Sequence, residues 1–87
     1  METEIRMKTV KKVAELFFEI EVNCSLEKPK EGLYVAIGKD AEAEGYTLCI
    51  NSSIIPESSY ECIESIIQKY KLRMKKSKEY LVIYKPK

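Results

Sequence analysis

The chain has 87 residues, 45% of them hydrophobic and 33% charged, with a formal net charge of +1. That length implies one domain, and that apolar content excludes general disorder, because it offers enough surface to offset the entropy of ordering. Histidine is absent, which excludes His-based acid–base chemistry and His-activated nucleophiles.

The small net charge hides a split. Residues 1–65 carry seven basic and thirteen acidic groups, net −6, whereas residues 66–87 carry eight basic and one acidic, net +7. A basic lobe on an acidic remainder attracts phosphates or an acidic partner surface. Thirteen Lys stand against two Arg, and thirteen Glu against one Asp. That bias fits an AT-rich genome and is also seen in hyperthermophiles.

Residues 3–21, TEIRMKTVKKVAELFFEIE, predict a helix. Val10, Val13, Ala14, Leu16, Phe17 and Ile20 follow three–four spacing and form one apolar stripe. Glu2 and Glu4 lie near its start, where the helix dipole favours them. A second reading competes over 16–24, where Leu16, Phe18, Ile20, Val22 and Cys24 alternate with Glu19, Glu21 and Asn23 between them. That is strand periodicity, and Phe18 and Val22 fit it better than they fit the helical stripe. Residues 25–32, SLEKPKEG, are a polar connection punctuated by Pro29 and Gly32.

Residues 33–39 and 46–52 predict a hairpin. Pairing Ile37 with Tyr46 sets Val35 opposite Leu48 and Leu33 opposite Ile50, so six apolar side chains share one face. The same register sets Gly38 opposite Gly45 and leaves the acidic tip KDAEAE. Residues 56–69 predict a second helix, with Pro56 suited to its first turn, or Ser58 and Glu61 forming a capping box two residues later. Two further strands follow at about 71–76 and 79–85. A loop centred on Ser77 and Lys78 sets Met74 opposite Leu81 and Leu72 opposite Ile83. The other face then carries Lys71 opposite Tyr84, Arg73 opposite Val82 and Lys75 opposite Tyr80.

These elements predict an α+β fold in the order αββαββ, with two helices on one face of a four-stranded antiparallel sheet. The sheet gains a fifth strand if 16–24 is extended. A loose αββ duplication is suggested by the element order, although residue identities do not support it.

Catalytic and metal chemistry find little footing. The three glycines are isolated at 32, 38 and 45, so no phosphate loop exists. Cys24, Cys49 and Cys62 are an odd set without CxxC spacing and read as reduced, mostly buried small apolar residues. No histidine is present to complete a three-thiolate metal site. The DAEAE tip resembles the start of a calcium loop, but Asn51 stands where the twelfth-position Glu belongs, so a solvated turn is the expectation. The serines of SSIIPESS suit an anion site at a helix start, yet capping accounts for them without a ligand.

The C-terminal hairpin is the most specific feature. Lys71, Arg73, Lys75, Tyr80 and Tyr84 share one face, with Lys69, Lys76, Lys78, Lys85 and Lys87 around them. Cations for phosphates beside flat rings for bases suit RNA or single-stranded DNA. The same pattern also suits a solvated strand face or a protein contact. The expectation is a small non-enzymatic binding module without cofactor or metal. It associates with itself, as a homodimer, or with another protein through the open sheet face or an edge strand. Nucleic-acid binding through Lys71, Arg73, Lys75, Tyr80, Tyr84 and Lys85 is the alternative. No membrane role is expected, because VAELFFEIEV, the most apolar N-terminal stretch, is interrupted by three glutamates. The cytoplasm is the expected compartment.

Overall fold

Thr9 starts the first helix. Its backbone is extended, and its hydroxyl accepts the Lys12 N–H at 3.1 Å, which satisfies one of the donors that a helix start leaves over. The computed structural model describes residues 7–27 and 34–87; Glu2, Glu4, Leu33 and most of the SLEKPKEG connection lie outside the described residues. Helix α1 runs Val10–Cys24 without a break. The helix therefore starts later than expected, and the strand reading of 16–24, with its fifth sheet member, is overturned. Strand pairing requires a distant partner, whereas helical bonds are made within the segment. Val13, Leu16, Ile20 and Cys24 are buried, and Phe18 and Val22 turn outward, 65% and 63% exposed.

The remaining elements are β1 (Val35–Lys39), β2 (Tyr46–Asn51), α2 (Tyr60–Lys69), β3 (Arg73–Lys76) and β4 (Tyr80–Tyr84). The four strands form one antiparallel sheet in the order β1-β2-β4-β3. This is the α+β, αββαββ arrangement expected. Leu48 and Ile50 of β2 face Ile83 and Leu81 of β4 at the centre of the sheet. These four join Val13, Leu16 and Ile20 of α1 and Ile63, Ile66 and Ile67 of α2 in a single core. Both helices thus lie on one face of the sheet.

Each hairpin keeps the expected faces but slides by two residues. In the first, Ile37 faces Leu48 and Val35 faces Ile50. In the second, Met74 faces Ile83, Arg73 faces Tyr84 and Lys75 faces Val82. A two-residue slide preserves which side chains point inward, so the hydrophobic pattern cannot exclude it. Local chemistry at the turns decides. Gly45 takes φ +82° and belongs to the loop, and its Cα lies so close to the Met7 carbonyl that an added Cβ would collide with that oxygen. Only glycine meets both demands. In the second hairpin the Ser77 N–H donates to the Tyr80 carbonyl at 2.8 Å and the Ser77 hydroxyl accepts the Tyr80 N–H at 3.2 Å. That closes the turn on Lys78 and Glu79.

The helices run antiparallel, and both ends of α2 are joined to the second half of α1. Cys24, at the end of α1, forms a disulfide with Cys62, near the start of α2, with Cα atoms 5.6 Å apart. These two cysteines are therefore not reduced; only Cys49 is free. Spacing along the chain gave no hint of the pair, because two cysteines 38 residues apart in sequence, on separate helices, are brought together by packing alone. The buried Ser59 hydroxyl donates to the Cys24 carbonyl at 2.6 Å, so this serine satisfies the end of α1. It makes no side-chain cap on α2. A short 3-10 turn, Glu57–Ser59, precedes α2, which starts at Tyr60 and not at Pro56. At the other end the Tyr70 hydroxyl donates to Glu19 at 2.6 Å, and Lys69 lies 3.5 Å from the same carboxylate.

Helix α2 ends in a Schellman motif. The Leu72 N–H reaches the Ile67 carbonyl at 2.9 Å, and the Lys71 N–H reaches that of Gln68 at 3.1 Å. Leu72 and Ile67 are both buried. Lys71 sits at the left-handed position, φ 58°, and belongs to the turn, not to β3 as expected.

Replacing Cys62 by Ser should lower unfolding stability by roughly 3–4 kcal/mol through the lost loop closure, measured by urea denaturation with and without reductant. The oxidised, denatured chain should show one reactive thiol, Cys49, and three after reduction; three without reduction would remove the bridge. Conversely, Lys71→Gly should raise stability by about 1 kcal/mol, since a left-handed backbone disfavours a side chain. Thermal unfolding of the two proteins checks this.

Candidate interaction surfaces

The far face of the sheet, away from the helices, is built from two cross-strand rows. Gly38, Thr47, Tyr84 and Arg73 form one; Ala36, Cys49, Val82 and Lys75 form the other. Strand alternation places Arg73 and Lys75 beside Tyr84, as the sequence suggests. Tyr80 lies one step beyond on the same face, where it faces Asn51, and is half-buried. Lys71 is exposed in the turn, off the strand. Lys85 follows β4, half-buried, with its carbonyl accepting the Glu44 N–H at 2.8 Å.

This face is not an open platform. Thr47 and Tyr84 point away from the core, yet they are only 2% and 9% exposed. The acidic β1–β2 loop lies against the end of the sheet. Asp40 reaches the Lys75 ammonium at 2.8 Å. Asp40 also accepts the Glu42 N–H at 2.9 Å, which shapes the loop. Ala43 is buried and pairs with Pro86, and the Lys87 N–H donates to the Glu42 carbonyl at 3.2 Å. Glu44 lies 3.5 Å from Lys8. The DAEAE tip is a turn as expected, with Ala41 and Glu42 exposed, but Asp40, Ala43 and Glu44 are paired. The reason is tertiary: the end of β4 runs beside the loop and supplies it with backbone partners.

The pairing shifts both ionisations. The Lys75 hydrogen bond, then that of the Glu42 N–H, hold the Asp40 carboxyl below its ordinary value. Lys75 is raised above the usual lysine value, first by its hydrogen bond to Asp40. Lys75 also lies 5.3 Å from the centre of the Tyr84 ring. The ring that a base would stack on thus already carries an intramolecular cation. Arg73 remains exposed, with no ion-pair partner among the described residues.

A second surface lies on the other side of the molecule's helical layer. Val10, Phe18, Val22 and Ile37 are the large hydrophobic residues that stand exposed among the described residues. Three are on the outer stripe of α1, and Ile37 is on the edge strand β1. Between helix and strand runs a groove of about 300 Å³ lined by Val13, Ala14, Phe17, Val35, Ile37 and Leu48. Ala14 also borders the shallow surface formed with Phe18 and Val22, so the apolar area is continuous. Contiguous exposed apolar area on a folded chain marks contact sites. The sequence held one signal for it: Phe18 and Val22 fit the buried stripe poorly. Once 16–24 is helical, that misfit becomes exposure.

No cluster of three or more metal-ligating side chains exists among the described residues. Comparison with family models, with curated proteins and with solved structures finds no match to this chain.

Neutralising the carboxylate in Asp40→Asn should release the loop from Lys75. Amide exchange at Glu44 should quicken severalfold, because its bond to Lys85 loses support. The pH dependence has a fixed sign. A carboxyl whose folded value is depressed stabilises the fold above its unfolded value and loses that contribution as pH falls through the folded one. The wild-type Lys75 side-chain NMR signal should therefore move at acidic pH, below the ordinary carboxylate range, and stay still there in Asp40→Asn.

Proposed function

We propose that this chain is a small non-enzymatic binding module that associates with itself or with another protein through the outer face of α1 and the adjoining edge strand β1. One observation carries the reading: every large hydrophobic exposed among the described residues belongs to that one surface. Isolated exposed apolar residues need no explanation, but a continuous stripe of them beside an open strand edge does. The far face of the sheet supports the reading less well, because the acidic loop occupies part of it.

RNA or single-stranded DNA binding by the basic hairpin is the second reading. Exposed Arg73 and Lys78 favour it, whereas the Asp40–Lys75 pair, the buried Tyr84 and the placement of Lys76 over the Tyr60 ring on the helix side count against it. The module would work in the cytoplasm of a cell where internal disulfides persist, as they do in hyperthermophiles. The Lys and Glu bias of the chain supports that setting. No helix among the described residues is long and apolar enough to cross a membrane.

Light scattering across a concentration series tests the reading. Wild-type protein should form a defined oligomer. Phe18→Glu should weaken it by about 2 kcal/mol, roughly thirtyfold in Kd, with unfolding stability changed by no more than about 0.5 kcal/mol because Phe18 is exposed. A wild-type monomer at high micromolar concentration would sink self-association. Salt-dependent binding of a fluorescent oligonucleotide, enhanced in Asp40→Asn, would favour the second reading instead.

A further inference from the structure

Helix α1 carries a charge gradient along its exposed apolar stripe. Val10, Ala14, Phe18 and Val22 recur at intervals of four, and all are exposed. Lys8, Lys11 and Lys12 lie at the N-terminal end; Glu15, Glu19 and Glu21 follow toward the C-terminal end. Glu19 is committed to Tyr70 and Lys69 of its own chain, and Lys12 to Glu15. Lys11 and Glu21 are exposed, with no ion-pair partner among the described residues.

We propose that the occupant of this surface is a second copy of the chain, with its α1 lying antiparallel across a two-fold axis between residues 14 and 18. The inference rests on the self-association reading above. Size complementarity favours it. An antiparallel pair centred there sets Phe18 of each copy over Ala14 of the other, a large side chain on a small one, twice. The ends of the stripe match as well, Val10 against Val22. A parallel pair sets Phe18 on Phe18 and leaves a gap at Ala14.

Charge favours it too. With the same centre, Lys11 of one copy comes level with Glu21 of the other, and the symmetry repeats the pair. A parallel arrangement sets lysine beside lysine and glutamate beside glutamate, which is unfavourable at close quarters. A two-fold contact of this kind closes on itself and stops at a dimer.

Charge exchange tests the arrangement in the full-length chain by light scattering and sedimentation. Lys11→Glu and Glu21→Lys should each weaken the dimer at least fivefold, because each creates two like-charge contacts. The double variant Lys11→Glu/Glu21→Lys should return to within about twofold of wild type, since the pairs are restored with their signs exchanged. Singles that dimerise as wild type does, or a double variant no tighter than the singles, would overturn the antiparallel arrangement. A wild-type monomer, or a dimer indifferent to Phe18→Glu, would instead overturn the self-association reading on which it rests.

Discussion

The antiparallel pairing of β2 with β4 is the contact on which the rest of the structure depends. It sets Leu48 against Ile83 and Ile50 against Leu81, all at most 1% exposed. Burying side chains of this kind contributes about 1.5–3 kcal/mol each. Neither hairpin can bury its apolar face alone, because each needs the other hairpin beside it and the helices above it. Once β2 and β4 pair, β1 and β3 become the two edges. The two αββ halves then face each other across the middle of the sheet, and α1 and α2 run antiparallel over it. The disulfide and the Glu19–Tyr70–Lys69 cluster fasten the two ends of α2 to the second half of α1. The edge position of β1 beside α1, which exposes Ile37, follows directly from the order β1-β2-β4-β3.

Part of the charge of the basic hairpin is met within the chain. A basic C-terminal hairpin attached to an acidic remainder looks, along the sequence, like an invitation to an anionic partner. Folding brings part of the acidic remainder to the hairpin. Asp40 pairs with Lys75 of the hairpin, which lies beside Tyr84. An exposed pair of this sort adds little stability, but its position matters more than its strength. It occupies the Tyr84 end of the far face and leaves the outer surface of α1 as the open one. That surface owes its apolar character to residues the core does not use.

The two hairpins show how far a hydrophobic pattern reaches. Alternation assigns Val35, Ile37, Leu48 and Ile50 to one face, and Met74, Leu81 and Ile83 likewise, and the structure keeps them there. It places Ile37 opposite Leu48, however, and Arg73 opposite Tyr84, two residues from the registers that the sequence suggests. A slide of two leaves every side chain on its own side of the sheet, so burial is blind to it. Contacts specific to the turns settle the matter: the left-handed Gly45 against the Met7 carbonyl, and the Ser77 bonds to Tyr80.

Sequence by itself determined the element order, the inward-facing residues of each strand and the Val13, Leu16 and Ile20 centre of the α1 stripe, whose flank at Val10 and Ala14 the structure leaves exposed. Those depend on periodicity, which is a local property of the chain. Arg73, Lys75 and Tyr84 were legible as neighbours for the same reason. Only the tertiary structure decided that 16–24 is helical and leaves Phe18 and Val22 in solvent, that Cys24 meets Cys62, and that the DAEAE loop lies on the basic hairpin. Each of these joins segments far apart in the sequence. Their proximity is set by how the two αββ halves pack, and no spacing within either half records it.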